Sequence, residues 1–528
     1  MLYHSTRSRD VLCGSKDAIL KGLCADGGLY VSDDILGASV DMKKLMDLSY
    51  EEIVFEVFKV LLDDYTDEEL RYCIERAYKG KFETEDLTPV TEIGDKYLLE
   101  LYHGPTSAFK DMALCMLPQL MSRALKDENV MILTATSGDT GKAALSGFQD
   151  AEKIGITVYY PYQKVSDIQY LQMATAEGGN VNVAAVRGNF DDCQTGVKQI
   201  FAAMTDEIKE KYKVSLSSAN SINVGRLVPQ VIYYIEAYKQ LVKRGVVSFG
   251  DKVDFVVPTG NFGDILAGYY AKVLGLPVGK LVVASNENNV LTDFFKTGVY
   301  NKNREFVKTI SPSMDILVSS NLERMLFYAA DCDCDYVAGL MKDLNEKGRF
   351  EVSEKVLNKL QATFDCGFAT NEESKQAIAD AYNNDRRLID PHTACGYKVA
   401  NDIADGKSGV AGAGSAAGAA DAAVAGAGKA AATVILSTAS PFKFAKDAYE
   451  AIFGAFDAAK AVIGADAVSL GADGEPDGFT YMNELSARTG DKIPEPLATL
   501  KSKEIRHKAV VDISEMADFA VKCLGCIK

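Results

Sequence analysis

The sequence predicts an α/β protein built on largely parallel sheets, with a mainly helical N-terminal region. Two observations carry this. From about residue 86 onward, short apolar β runs alternate with helical patterns, and parallel strands need such crossovers. Twice a β run ends in a glycine-rich loop that opens a helix, at "TATSGDTGKAA" and at "PTGNFGDILAGYYAK".

Taken in order, residues 1–85 read as helical. "SYEEIVFEVFKVLLDDY" sets Ile53, Val54, Val57, Phe58, Leu61 and Leu62 on one face. "TDEELRYCIERAY" has Thr66 followed three residues on by Glu69, a capping-box pattern. The β runs that follow are "KYLLELY", "VMILTAT", "ITVYYP", "VNVAAV", "VDFVVPT", "KLVVAS" and "ATVILST". Residues 409–432 stand apart, because 19 of 24 are Ala or Gly. That composition offers too few large side chains for a core element and reads as a surface insertion.

The bulk properties narrow the function. A chain of 528 residues suggests about three domains. A net charge of −17 argues against a nucleic-acid or anionic-membrane surface, and no apolar run is long enough to span a bilayer. The N-terminus lacks a signal-peptide core. Eleven scattered cysteines read as reduced thiols, so a cytoplasmic location is expected. Cys523 and Cys526 form a C-x-x-C with no second pair, and the four histidines include no H-E-x-x-H; no metal is expected.

The chemistry centres on "LYHGPTSAFKDMALCMLPQL". Gly104 and Pro105 suit a turn, and Thr106 or Ser107 could cap a helix. Lys110 then has Ala113, Leu114 and Leu117 on its face, with Phe109, Met112, Met116 and Leu120 around the rest. Burial disfavours an ammonium, and a neutral amine can attack a carbonyl. The plainer alternative is a lysine that reaches solvent or pairs with Asp111. The two glycine loops are each an anion site in outline, since a helix N-terminus presents free N–H groups. Neither is a nucleotide signature. Together with a buried lysine they suit an aldehyde cofactor carrying a phosphate, as pyridoxal phosphate does, and an anionic substrate. "ATVILSTASPFKF" ends a strand at Thr438, whose hydroxyl could meet a ring nitrogen or simply the backbone.

These segments resemble the threonine synthase family. "YHSTR", "GLCADGGLYVSDD", "HGPTSAFKDMAL", "TATSGDTGKAA", "ANSINVGRLVPQ", "PTGNFGDILAGYYAK", "SPSMDILVSSNLERMLF", "DPHTACGY", "LSTASPFKF" and "PEPLATLKSKEIRH" follow one another in family order. The resemblance implies a tryptophan-synthase-β-like fold of two lobes. It divides the chain into an N-terminal domain (1–85), a cofactor-binding core (86–453, interrupted by 409–432) and a C-terminal extension packing on the core (454–528). It implies pyridoxal phosphate held covalently by Lys110, which also shuttles protons. Gly260, Asn261, Phe262, Gly263 and Asp264 would cup the cofactor phosphate, Asp139 would lie near its 3′-oxygen, and Thr438 would face its ring nitrogen. Ser137, Gly138 and Thr140 would hold the substrate carboxylate. Ser221, Asn223 and Arg226, with Asn321 and Arg324, are candidates for the substrate phosphate.

The implied reaction converts O-phospho-L-homoserine and water to L-threonine and phosphate, in a monomer or homodimer with no nucleic-acid or membrane partner. Two rivals use the same residues: a phospholyase or dehydratase yielding 2-oxobutanoate, and a non-catalytic module that binds phosphorylated metabolites. The Ala/Gly-rich insertion and the diluted stretch after residue 453 depart from the family pattern.

Overall fold

The computed structural model describes residues 1–136, 138–410, 430–464, 467–471 and 474–527. Ser137 and most of the Ala/Gly-rich insertion therefore lie outside the described residues. Two sheets form the centre. The first has six strands in the order Phe364–Phe368, Val278–Ser285, Val253–Pro258, Ala432–Ser437, Lys96–Glu100 and Val90–Ile93. Every pair is parallel except the last, which closes through Gly94 at φ 55°. The second has five parallel strands in the order Ala509–Val511, Val181–Val186, Ile154–Pro161, Asn129–Ala135 and Val214–Ser217.

The seven apolar β runs all become strands. Val90–Ile93, Val214–Ser217, Phe364–Phe368 and Ala509–Val511 were not foreseen, and these four are the edges of the two sheets. At three to five residues, they are too short for a two-residue period to stand out. Ala509–Val511 shows that the end of the chain completes the second sheet as well as packing against it. The helix Met516–Cys523 then lies on Phe190–Tyr212, where Gly196 leaves room for the Met516 side chain.

In the N-terminal region, Tyr50–Leu61 and Asp67–Tyr78 are helices. Both open with capping boxes, Ser49 with Glu52 and Thr66 with Glu69. The first 31 residues also make a three-stranded antiparallel sheet from Tyr3–Ser5, Ser8–Cys13 and Tyr30–Val31. This region is tied to the core by Arg7, which donates to Glu323 at 2.8 Å. No helix among the described residues is long and apolar enough to cross a membrane. None of their His, Cys, Asp and Glu side chains form a group of three that could hold a metal.

The lysine segment differs from a single continuous helix. It forms Lys110–Leu114 and then Leu117–Ala124. Pro118 has no N–H to give the Leu114 carbonyl, so the ladder breaks there. The helix Asp139–Phe148 packs into the break at Gly147, where a Cβ would fall 1.9 Å from the Leu114 oxygen.

Candidate functional site

The site assembles beyond the carboxyl ends of strands from both sheets, the usual ligand position in open parallel sheets. The strand Ala432–Ser437 delivers Thr438, whose carbonyl accepts the Phe109 N–H at 2.8 Å. That bond docks the lysine segment on the first sheet. Thr106 and Ser107 do not cap the helix as the sequence suggested. Instead Asp111 turns back, taking the Thr106 N–H at 2.8 Å and its hydroxyl at 2.6 Å. Asp111 is thus committed to the turn and makes no ion pair with Lys110. Ser107 sits at φ 55°, and its buried hydroxyl has no partner among the described residues.

Lys110 is buried at 9% exposure, so the snorkelling alternative does not hold. Burial pushes its amine down to about 8; the carboxylate of Asp139 partly offsets this, while Lys443 and Arg226 add to it. Its Nζ lies 3.4 Å from the Ser313 hydroxyl.

The second glycine loop gathers free N–H groups at a helix N-terminus, an arrangement that suits an anion. Phe262 takes a left-handed φ of 62° at the N-cap of the helix Gly263–Val273. For a bulky residue this conformation is costly. The ring offsets the cost by burying itself, stacked on Phe295 with centroids 5.8 Å apart and 5.6 Å from Phe364. Ser319 donates to the Gly260 carbonyl at 2.7 Å, and Asn321 donates to the Asn261 carbonyl at 3.0 Å from both its N–H and its amide. With the carbonyls tied back, the N–H groups of Gly260, Asn261, Phe262 and Gly263 donate no hydrogen bond among the described residues. Asp264 follows, buried, with Tyr233 at 2.5 Å and Tyr234 at 3.1 Å on Oδ1, while Oδ2 has no partner among the described residues.

Two family models match the chain: "Threonine synthase N terminus" over residues 2–78 and "Pyridoxal-phosphate dependent enzyme" over residues 87–415. The threonine synthase of Pseudomonas aeruginosa is 38% identical over 407 residues, 76% of this chain and 84% of that protein. Human "Threonine synthase-like 1" is 40% identical over 407 residues, 74% of this chain. The chain spans about half, 54%, of that relative's length. Among solved structures, pyridoxal-phosphate-bound threonine synthase from Brucella melitensis has a TM-score of 0.82 at 32% identity, covering 100% of both chains. The yeast threonine synthase has 0.79 at 30%, covering 99% of this chain and 98% of that one.

The chain belongs to the threonine synthase family.

The cofactor of that family is pyridoxal phosphate, and the residues here fit it on their own account. A buried amine stands near a cup of four undonated N–H groups at a helix N-terminus, which suits an aldehyde joined to a phosphate. Space matters at the cup too. A Cβ on Gly260 would fall 2.8 Å from the Ser313 carbonyl oxygen.

The threonine synthase family residues in the first loop behave differently. Gly138, at φ 144°, precedes the helix Asp139–Phe148, and the Thr136 hydroxyl takes the N–H of both Gly138 and Gly141, at 2.9 and 3.0 Å. Thr140 is half-buried in the first turn. Asp139 pairs with the Lys443 ammonium at 2.8 Å. Burial alone would raise its carboxyl, but Lys443 and Lys110 outweigh that and hold it well below the usual carboxylate range.

The substrate-phosphate candidates separate into two kinds. Asn223, Asn321 and Arg324 are occupied in building the site. Asn223 caps Val224–Leu227 and donates to the Ile19 carbonyl at 2.8 Å. Arg324 spends its guanidinium on the carbonyls of Tyr30, at 2.9 Å, and Ile222, at 2.6 Å, and on Asn321. Ser221 offers its carbonyl to Asn321 at 3.2 Å. Arg226 is the contrast. It is buried, makes no ion pair among the described residues, donates to the Ala219 carbonyl at 3.1 Å and leaves Nε without a partner. Burial pushes it down to about 10.

Three residues of the site escaped the sequence reading: Ser313, His392 and Lys443. Each lies inside a quoted family segment, yet none has a local pattern of its own. Lys443, at 4% exposure two residues past Pro441, carried the one available signal, a lysine between two phenylalanines.

Proposed function

We propose that this chain converts O-phospho-L-homoserine and water to L-threonine and phosphate. The observation that carries the reading is Lys110: a buried amine, poised at about 8, close to an ionised aspartate and an unpaired buried arginine.

Lys110 would hold pyridoxal phosphate by its aldehyde, Gly260 to Asp264 would take its phosphate, Asp139 would lie near its 3′-oxygen and Thr438 near its ring nitrogen. When bound, the cofactor supplies an electrophilic carbon for the substrate amine and a conjugated ring that takes up the electron pair released at the α-carbon. The residues supply the rest. A lysine near 8 is partly neutral at physiological pH, so Nζ of Lys110 can take a proton from carbon and give one back. Asp139, kept ionised by Lys443, attracts the charged form of Lys110 and so limits how far burial lowers it. Arg226 is a cation without a counterion among the described residues, which suits the phosphate of the substrate. The N–H groups of Asp139 and Thr140, in the "SGDTG" loop, donate no hydrogen bond among the described residues, which suits the substrate carboxylate. Lys110, Asp139 and Arg226 are each buried, so their charges act on one another with little screening by water.

The test is product identification after incubating the holoenzyme with O-phospho-L-homoserine. Threonine and phosphate in equal amounts are expected. Ammonia with 2-oxobutanoate would establish a lyase instead, and no turnover with a colourless protein would establish a binding module.

A further inference from the structure

We propose that Ser313 is the positioning residue of Lys110, and that Asp390 and His392 hold it in place. The inference rests on the reading of Lys110 as the cofactor-bearing lysine. It concerns how that amine is aimed.

Ser313 is the point where the separate parts of the site meet. Its hydroxyl lies 3.4 Å from Nζ of Lys110 and 3.5 Å from Oδ2 of Asp139. Its carbonyl faces Gly260, at the distance that excludes a side chain there. Its N–H donates to Nε2 of His392 at 3.1 Å. A hydroxyl has one proton and two lone pairs. Asp139 can only accept, so the proton goes to Asp139 and a lone pair is left for the Lys110 amine. The direction of the whole chain of bonds follows from these constraints.

The support behind Ser313 is also determined. A main-chain N–H can only donate, so Nε2 of His392 accepts. Nδ1 then carries the ring proton and donates to Oδ1 of Asp390 at 2.7 Å. This is the carboxylate–imidazole logic that sets a tautomer in other active sites. His392 and Asp390 are 2% and 0% exposed, so water does not compete for these bonds. Asp390 also caps the helix Pro391–Ala404 through the His392 N–H at 2.8 Å. Thr393 joins this carboxylate to the Ser437 hydroxyl at 3.0 Å, one residue before Thr438.

The turn that carries Ser313 is clamped from its other side. Asp315 Oδ1 accepts from Asn286 at 2.8 Å, Asn288 at 3.0 Å and Thr309 at 2.7 Å. Asn286 also reaches the Ser311 hydroxyl at 3.0 Å. So dense a polar network around the short 3-10 turn Pro312–Met314 holds one conformation, and the group it presents to the site is the Ser313 hydroxyl.

The experiment uses the full chain with Ser313→Ala, Ser313→Cys, Ser313→Thr and Asp390→Asn. Ser313→Cys keeps the volume and weakens the bond; Ser313→Thr keeps the hydroxyl. Asp390→Asn keeps a carbonyl oxygen for Nδ1 and the His392 N–H but removes the carboxylate charge, so the bond that orients the ring is weakened. Apoprotein of each is mixed with pyridoxal phosphate, the adduct is trapped with borohydride over time, and peptide mass spectrometry reads occupancy at Lys110. kcat and KM are measured on the holoproteins.

Ser313→Ala, Ser313→Cys and Asp390→Asn are expected to reach full occupancy at Lys110 but about tenfold more slowly, the size of one hydrogen bond to a charged group. Their kcat should fall about tenfold with KM within about twofold, and Ser313→Thr should restore both. A merely structural role would lower final occupancy and thermal stability without slowing attachment in folded protein. Attachment and kcat within about twofold of the parent in both Ser313→Ala and Ser313→Cys would overturn the proposal. Absence of any adduct on Lys110 in the parent would instead overturn the reading of Lys110 itself.

Discussion

The two strand–loop–helix junctions look alike in sequence and act as opposites in the fold. Each follows a buried parallel strand, and each sets an aspartate in the first turn of a helix. Around Asp139, the Thr136 hydroxyl takes the N–H groups of Gly138 before it and Gly141 after it, and a lysine from a distant segment neutralises the acid. In the loop before Asp264, four N–H groups stay undonated among the described residues and only tyrosines meet the acid. Burial acts on both carboxyls. Lys443 reverses it at Asp139, whereas at Asp264 the tyrosine hydroxyls and Lys110 only moderate it, and the carboxyl is pushed up to about 6. Burial and a helix N-terminus are thus common to both. The presence of a cation at contact distance decides which acid keeps its charge as pH falls.

Lys110 acts on both aspartates, so removing it strikes at both sides of the contrast. Lys110→Ala is expected to lower threonine formation by about a thousandfold or more and to abolish the borohydride-trapped adduct, read by product assay and peptide mass spectrometry. Asp139→Asn breaks the contrast at its source by leaving the Lys443 ammonium buried without a counterion. Urea unfolding should show a loss of about 3–5 kcal/mol. The same change at Asp264 leaves no cation stranded.

The pH dependence sharpens the comparison. Asp264 is raised in the fold, so its stabilising contribution is complete below the unfolded value of 3.8 and is lost as pH rises through about 6. At 1.36 kcal/mol per pH unit this amounts to about 3 kcal/mol. Asp139 is lowered, so its contribution is present above 3.8 and is lost only as pH falls toward its depressed folded value. Between pH 4 and 6, Asp264→Asn should therefore make stability rise more steeply with pH than in the parent, by about 2 kcal/mol across the window. An unchanged slope would mean that Asp264 titrates normally. The smallest effect is Asp264→Asn at pH 7. An amide spares the buried charge but brings N–H groups with no partner, and the two should leave stability within about 1 kcal/mol of the parent.

Much of the site was legible because it is local. Lys110 lies in a run of apolar residues, and a run can be read. The glycine loops announce themselves as strand, turn and helix in succession. Arg226 was named from a family segment, and its unpaired burial then set it apart from Asn223 and Arg324, which share that origin but hold up the frame. Ser313, His392 and Lys443 were not legible. Their contacts, Ser313 to Asp139, His392 to Ser313 and Lys443 to the Thr106 carbonyl, span 174, 79 and 337 residues of chain, and no periodicity records such distances. The four edge strands escaped for a related reason: a short strand is defined by the neighbour it pairs with.

What the sequence determined by itself was the class of protein. Alternating apolar runs required parallel sheets with crossovers, and glycine at the strand ends made those turns able to approach an anion. A lysine set among apolar side chains pointed to a buried amine. What only the tertiary structure decided was the charge and aim of each group. Whether Asp139 or Asp264 is ionised, whether Arg226 is paired, and which hydroxyl faces Lys110 are set by atoms brought within about 3 Å from remote segments. Electrostatic and hydrogen-bond energies fall off over that scale of distance, so they are fixed by the folded arrangement and leave no mark in the local order of residues.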